Sequence, residues 1–153
     1  MSLIRSAARV LLGATMVSAG VLHLTSQRRE FQAQVPEWFP ADDDLVVVVS
    51  GVAEIGLGAG FALLPRRKRL FGALLAAFFV VIFPGNIAQY VEGTDAFGLD
   101  SDRKRFVRLF FQPLLVLWAL FAGEVLRPPR DEDCCGRLPE ASVWPGDSAA
   151  RRQ

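Results

Sequence analysis

The sequence predicts an all-α polytopic membrane protein, a bundle of four transmembrane helices. Three observations carry that prediction. Charged residues make up 22% of the 153 residues, yet they are almost absent from 10–27, 45–65, 70–91 and 109–123, where Glu54 is the only one. A soluble helix scatters charge along a wet face, whereas a run of about 18 or more apolar residues is long enough to cross a bilayer. The stretches also lack the alternating polarity, about ten residues long, of barrel strands. Finally, a hydrophobic fraction of 52% with two cysteines excludes disorder and a disulfide scaffold. A net charge of +1 leaves no uncompensated basic surface for a nucleic acid.

Each element follows in order. The first span is 10–27, preceded by Arg5 and Arg9. A signal peptide cleaved after Val17-Ser18-Ala19 competes with it. The apolar stretch continues through Val21 and Leu22, which favours an uncleaved helix. In the connection 26–44, Phe31, Val35, Trp38 and Phe39 fall at i, i+4, i+7 and i+8. That spacing fits a short amphipathic segment in the interface, stopped by Pro36 and Pro40. It equally fits an irregular loop with Trp38 and Phe39 anchored among the headgroups. The second span is 45–65 and the third 70–91, joined by the basic turn 65–69. After the polar loop 92–105, the fourth span is 106–125, with Arg108 and Glu124 extending toward the two interfaces. The membrane domain is thus 1–126, and the Pro-, Gly- and charge-rich segment 127–153 reads as a disordered cytoplasmic tail.

Flanking bases set the expected orientation. One side holds Arg5, Arg9, the 66–69 turn and the tail, together 11 of the 17 bases; the other holds six bases among nine acids. Both termini are therefore expected in the cytoplasm of a multi-pass plasma-membrane protein. The bases at 103–108 blur the signal.

The polar residues inside the spans are the candidate site. Ser50, Glu54 and Gly58 lie at i, i+4 and i+8, with Gly51 three residues before the acid, and Gly56 and Gly60 form a further small pair. Small residues let helices approach, so Glu54 should face the bundle. An ionised carboxylate at mid-span costs several kcal/mol, so it needs a partner or a proton. His23, Asn86, Gln89 and Gln112 all lie toward the outer ends of their spans. At about 1.5 Å per residue they fall roughly 5–10 Å from the midplane, on one side. Pro84 and Pro113 adjoin this layer and free the carbonyls of Val80 and Leu109, which would either open a cavity or shape the packing. The amides serve either as interhelical glue or as ligand contacts; His23 either reaches the interface or partners Glu54. One histidine and one intramembrane acid do not complete a metal site. Cys134 and Cys135 are adjacent, in a tail expected to be reducing, and suit free or lipidated thiols rather than catalysis.

The segments SAGVLHL (18–24), VPEWFP (35–40), SGVAEIGLGAGFALLP (50–65), FPGNIAQY (83–90) and FQPLLVLWAL (111–120) occur in that order. With their spacing they resemble the DoxX-like family of small four-helix membrane proteins over about residues 5 to 126. The residues matching that family's polar positions are His23, Pro36, Trp38, Glu54, Pro84, Asn86 and Gln112. The resemblance implies a plasma-membrane bundle, and some relatives are tied to quinone-linked or other membrane redox systems. It leaves open whether the chain has any catalytic activity.

Together these readings give three functional classes. The first is a membrane subunit of a redox or quinone-linked process, binding a small amphipathic molecule in a polar outer-half cavity through His23, Glu54, Asn86, Gln89 and Gln112. A quinone is then the candidate cofactor, and a redox protein or a second copy the candidate partner. The second is a non-enzymatic scaffold whose polar layer only fixes helix packing. The third is a small transporter, disfavoured because no polar lining continues toward the cytoplasm.

Overall fold

The computed structural model describes residues 2–32, 34, 35, 38 and 40–127. Pro36, Phe39, Cys134, Cys135 and the tail from 128 onward lie outside the described residues. The elements are α1 (Ser2–Leu24), α2 (Arg28–Gln32), α3 (Asp43–Leu63), a 3-10 turn at Pro65–Arg67, α4 (Lys68–Glu92) and α5 (Asp102–Ala122). The four long helices are each apolar and long enough to cross a membrane. Only between 22% and 33% of the residues in their apolar windows are buried in the protein. Val81 and Leu63 are about three-quarters exposed. Such an outer surface is intelligible against lipid, not against water.

Chain reversals alternate the helix directions. α1 packs along α3 and α4 along α5; narrower contacts join α1 to α5 and α3 to α4 and close the bundle. Its core is Leu12, Met16, Phe61, Leu75, Ala76, Phe79, Ala119 and Ala122. The ends are set locally. Asp42 caps α3 by accepting the Leu45 N–H at 3.0 Å, which supplies one of the free donors of a first turn. Gly93, at φ 68°, ends α4 in the left-handed conformation that glycine adopts without penalty.

Helices outrun the uncharged stretches where charge is satisfied. α1 begins at Ser2, so Arg5 and Arg9 are helical. Arg9 is buried and donates to the carbonyls of Phe61 (2.5 Å) and Ala62 at the C-terminal end of α3. The sequence reads as a flanking base what is a cap on a neighbouring helix. α5 begins at Asp102 and carries Arg105 into the structure, buried and bonded to Asp95 and Asp102. α1 stops at Leu24, short of residue 27. Of the two readings of the 26–44 connection, the described residues fit the irregular loop better. Its helix ends at Gln32, and Gln34 and Val35 lie in a turn and a bend. Phe31 turns inward rather than toward lipid, because His23 offers it a ring to stack on (centroids 3.2 Å, planes 18° apart).

Candidate functional site

The site begins with four glycines. Gly13 and Gly20 on α1 face Gly58 and Gly51 on α3, both pairs seven residues apart in sequence. A Cβ at Gly20 would fall 2.5 Å from the Gly51 carbonyl oxygen, and one at Gly58 2.7 Å from that of Gly13. Backbone therefore touches backbone, as small residues permit in lipid. Gly56 does not share in this: no atom lies within 4 Å of a Cβ there, while Gly60 accommodates the Phe71 ring of α4. The two are not one interface.

The close approach delivers the polar pair. His23 and Glu54 each lie three residues after a contact glycine, Gly20 and Gly51, and meet with Nδ1 3.0 Å from Oε2. Both are more than nine-tenths buried. His23 Nδ1 is also 2.9 Å from the Ala19 carbonyl oxygen. Both neighbours of Nδ1 are acceptors, and Nδ1 has one hydrogen. Hydrogen-bond geometry is met toward Ala19 and not toward Glu54, so Oε2 sits at ion-pair distance with no donor. Among the described residues, only Arg5 Nε shares that status. Buried polar atoms are nearly always bonded.

A roof of aromatic rings covers the pair. Phe31 stacks on His23, Phe97 meets Phe31 edge-on at 4.6 Å, and the Arg108 guanidinium lies 4.9 Å over Phe97. Phe97 is held at φ 57°, and its N–H donates to Glu30 Oε2 of α2 at 2.6 Å.

The amides assemble elsewhere. Asn86 donates to Gln112 Oε1 at 3.0 Å, and Gln112 Nε2 donates to the Phe79 carbonyl at 2.5 Å. This carbonyl is one residue before that of Val80, which Pro84 leaves without its helical donor. Gln89 is buried and lies 2.7 Å from the Gln34 amide. The same Gln34 atom is 2.8 and 3.1 Å from two Arg108 nitrogens. Arginine only donates, so that atom is the oxygen facing Arg108, while Gln89 Nε2 donates to the Thr94 carbonyl at 3.4 Å. Among the described residues no hydrogen bond joins these amides to His23 or Glu54. Thus the five candidate residues form a His–Glu pair on α1 and α3 and amide contacts centred on α4 and α5. Trp38 is exposed at the α2–α3 connection.

Two cavities open elsewhere on the surface. One, of about 320 Å³, lies at the Arg5 and Glu124 end; the other, of about 590 Å³, runs along the start of α5 from Phe97 to Phe111. Neither is lined by His23, Glu54, Asn86, Gln89 or Gln112. No group of three His, Cys, Asp or Glu side chains suited to a metal comes together among the described residues.

The two ends differ in charge. Arg5, Arg9, Arg66, Arg67, Lys68, Arg69 and Arg127 share one end with Glu124. Glu124 is 2.9 Å from Lys68 and 4.0 Å from Arg5, and the Lys68 hydrogen bond holds its carboxyl below the usual carboxylate range. At the other end Arg28 pairs with Asp44, Lys104 with Asp100, and Arg105 with Asp95 and Asp102.

No curated protein and no solved structure matches the chain. A family match covers residues 12–123, from the first helix to the end of the last, and makes no DoxX assignment. The chain belongs to the family described as a domain of unknown function, DUF8561.

Proposed function

We propose that the protein is a plasma-membrane subunit of a redox or quinone-linked process, binding a small amphipathic molecule at the His23–Glu54 pair. The observation that carries this reading is Glu54 Oε2, a buried acceptor without a donor. A hydroxyl-bearing head group, such as a reduced quinone, supplies the missing donor. Phe31 would have to lift for it to enter. The resemblance to DoxX-like proteins supports the same assignment, with a redox protein or a second copy as partner. In the test, full-length protein is purified in mild detergent, co-purifying quinones are identified by mass spectrometry, and a quinol analogue is titrated. Binding by the wild type and its loss in Glu54→Gln are expected. Equal binding by both, or no quinone in either assay, overturns the reading.

The orientation proposed with it puts both termini in the cytoplasm, because among the described residues the end with seven bases carries one acid. The chain's two cysteines both lie in the C-terminal segment. An impermeant maleimide should therefore label intact spheroplasts only after permeabilisation; labelling before it reverses the orientation.

A scaffold role is the second reading, favoured by one observation. Gln112 bonds through both its amide atoms to α4, which is what packing glue does.

A further inference from the structure

The groove of about 590 Å³ along the start of α5 is lined by Phe97, Leu99, Arg103, Lys104, Val107, Arg108 and Phe111. Its composition is divided along the helix. Arg103, Val107 and Phe111 follow at four-residue steps, so they share one face, and Arg103 begins where the apolar span begins. From Arg103 to Phe111 the axis advances about 12 Å. That places Arg103 at headgroup level and Val107 and Phe111 deeper as an apolar floor, with Arg108 about 7.5 Å beyond Arg103 along the axis and long enough to reach back toward it. Val107 and Phe111 are about half exposed, as a floor open to lipid requires.

The charge on this face is not spent internally. Arg105 turns away and is bonded by Asp95 and Asp102. Lys104 is 2.6 Å from Asp100. Arg103 and Arg108 contact no carboxylate among the described residues; Arg108 meets only the Phe97 ring and the Gln34 amide. Guanidinium groups with weak hydration and a planar donor fork suit phosphate.

We propose that this groove holds an anionic phospholipid, its phosphate at Arg103 and Arg108 and one acyl chain along Val107 and Phe111. The site is separate from the His23–Glu54 pair, from which the Phe97 and Phe31 rings divide it. Its charge selects the headgroup, since a zwitterionic lipid brings a second cation to a face that already has uncompensated ones.

The test uses full-length protein in neutral detergent, mixed micelles of phosphatidylglycerol or phosphatidylcholine, and native mass spectrometry to count bound lipid. The wild type should retain phosphatidylglycerol about tenfold more tightly. Arg103→Gln, at an exposed position, should lose most of that preference with an unchanged helical circular dichroism spectrum. Val107→Trp should weaken both lipids by filling the floor. Arg66→Gln with Arg67→Gln, at the opposite end, should keep the preference. Equal retention of both lipids by the wild type overturns the proposal. So does an unchanged preference in Arg103→Gln, or its loss in the Arg66 and Arg67 variant. Displacement of the lipid by inorganic phosphate alone would also overturn it, by assigning the cations to a free anion.

Discussion

The α1–α3 and α4–α5 interfaces solve one problem in opposite ways. Both bury polar side chains, Glu54 near the middle of α3 and Gln112 at the middle of α5. Between α4 and α5 the amides close on each other and on a backbone carbonyl beside a proline. Between α1 and α3 the backbones touch at glycines, and the acid they bring inside keeps an oxygen with no donor. The first interface has used its hydrogen-bonding capacity on itself. The second retains some, and that contrast is what separates a packing device from a binding group.

Breaking the glycine contact should have the largest effect. Gly20→Ala puts a methyl 2.5 Å from the Gly51 carbonyl oxygen and 2.7 Å from Ile55 Cγ1, so thermal unfolding in detergent should show a loss of about 1–3 kcal/mol. Gly56→Ala, with nothing within 4 Å, should leave the midpoint unchanged; an equal drop would mean that glycine count, not contact, matters. Next comes Gln112→Leu, which strips Asn86 and the Phe79 carbonyl of a partner. A loss of about 1–2 kcal/mol is expected, and an unchanged midpoint would remove the glue assignment. Glu54→Gln keeps the shape of a side chain that already lacks one donor. It should cost under about 1 kcal/mol while abolishing quinol binding. A larger loss of stability than in Gln112→Leu would invert the comparison.

The smallest effect lies at the cationic end. The Glu124 carboxyl is depressed from its usual 4.5, chiefly by the Lys68 hydrogen bond. A depressed acid contributes stability that is present above its unfolded value and lost as pH falls through the folded one. Unfolding midpoints should therefore decline on acidification below about 4.5 by an increment under about 1 kcal/mol, smaller at high salt. Glu124→Gln should remove that increment and its salt dependence.

The spans were legible because lipid imposes a constraint on every residue of a crossing helix, and charge-free stretches record it. Glu54 and His23 were legible for the same reason, as exceptions within those stretches. What pairs with what was not. Gly13 and Gly20 carry no chemical signal, and their meaning appears only when Gly58 and Gly51 stand opposite. Arg9 reads as a flanking base because nothing local shows that the last carbonyls of α3 come to it. Phe31 fits an interfacial stripe by spacing, yet spacing cannot say that a histidine ring one turn before the loop will bind its face. Arg105 counts as a free base in the sequence, whereas in the fold Asp95 and Asp102 bond it. Local pattern records the solvent; partners across the bundle depend on where the backbones come to rest.

The conformation of Phe97 has an energetic consequence for access. A bulky residue at φ 57° costs about 1–3 kcal/mol, and a hydrogen bond to a carboxylate returns about the same. The cover over His23 thus sits near balance, with the Glu30 carboxylate as its catch. The Arg108 guanidinium also rests on the Phe97 ring, so losing the Glu30 bond should loosen the loop while α1 and α3 stay in contact. Opening then resembles a local fluctuation rather than unfolding, and the Phe97 amide is its own reporter: hydrogen exchange there should outpace exchange in the helices, and Glu30→Gln should speed it further.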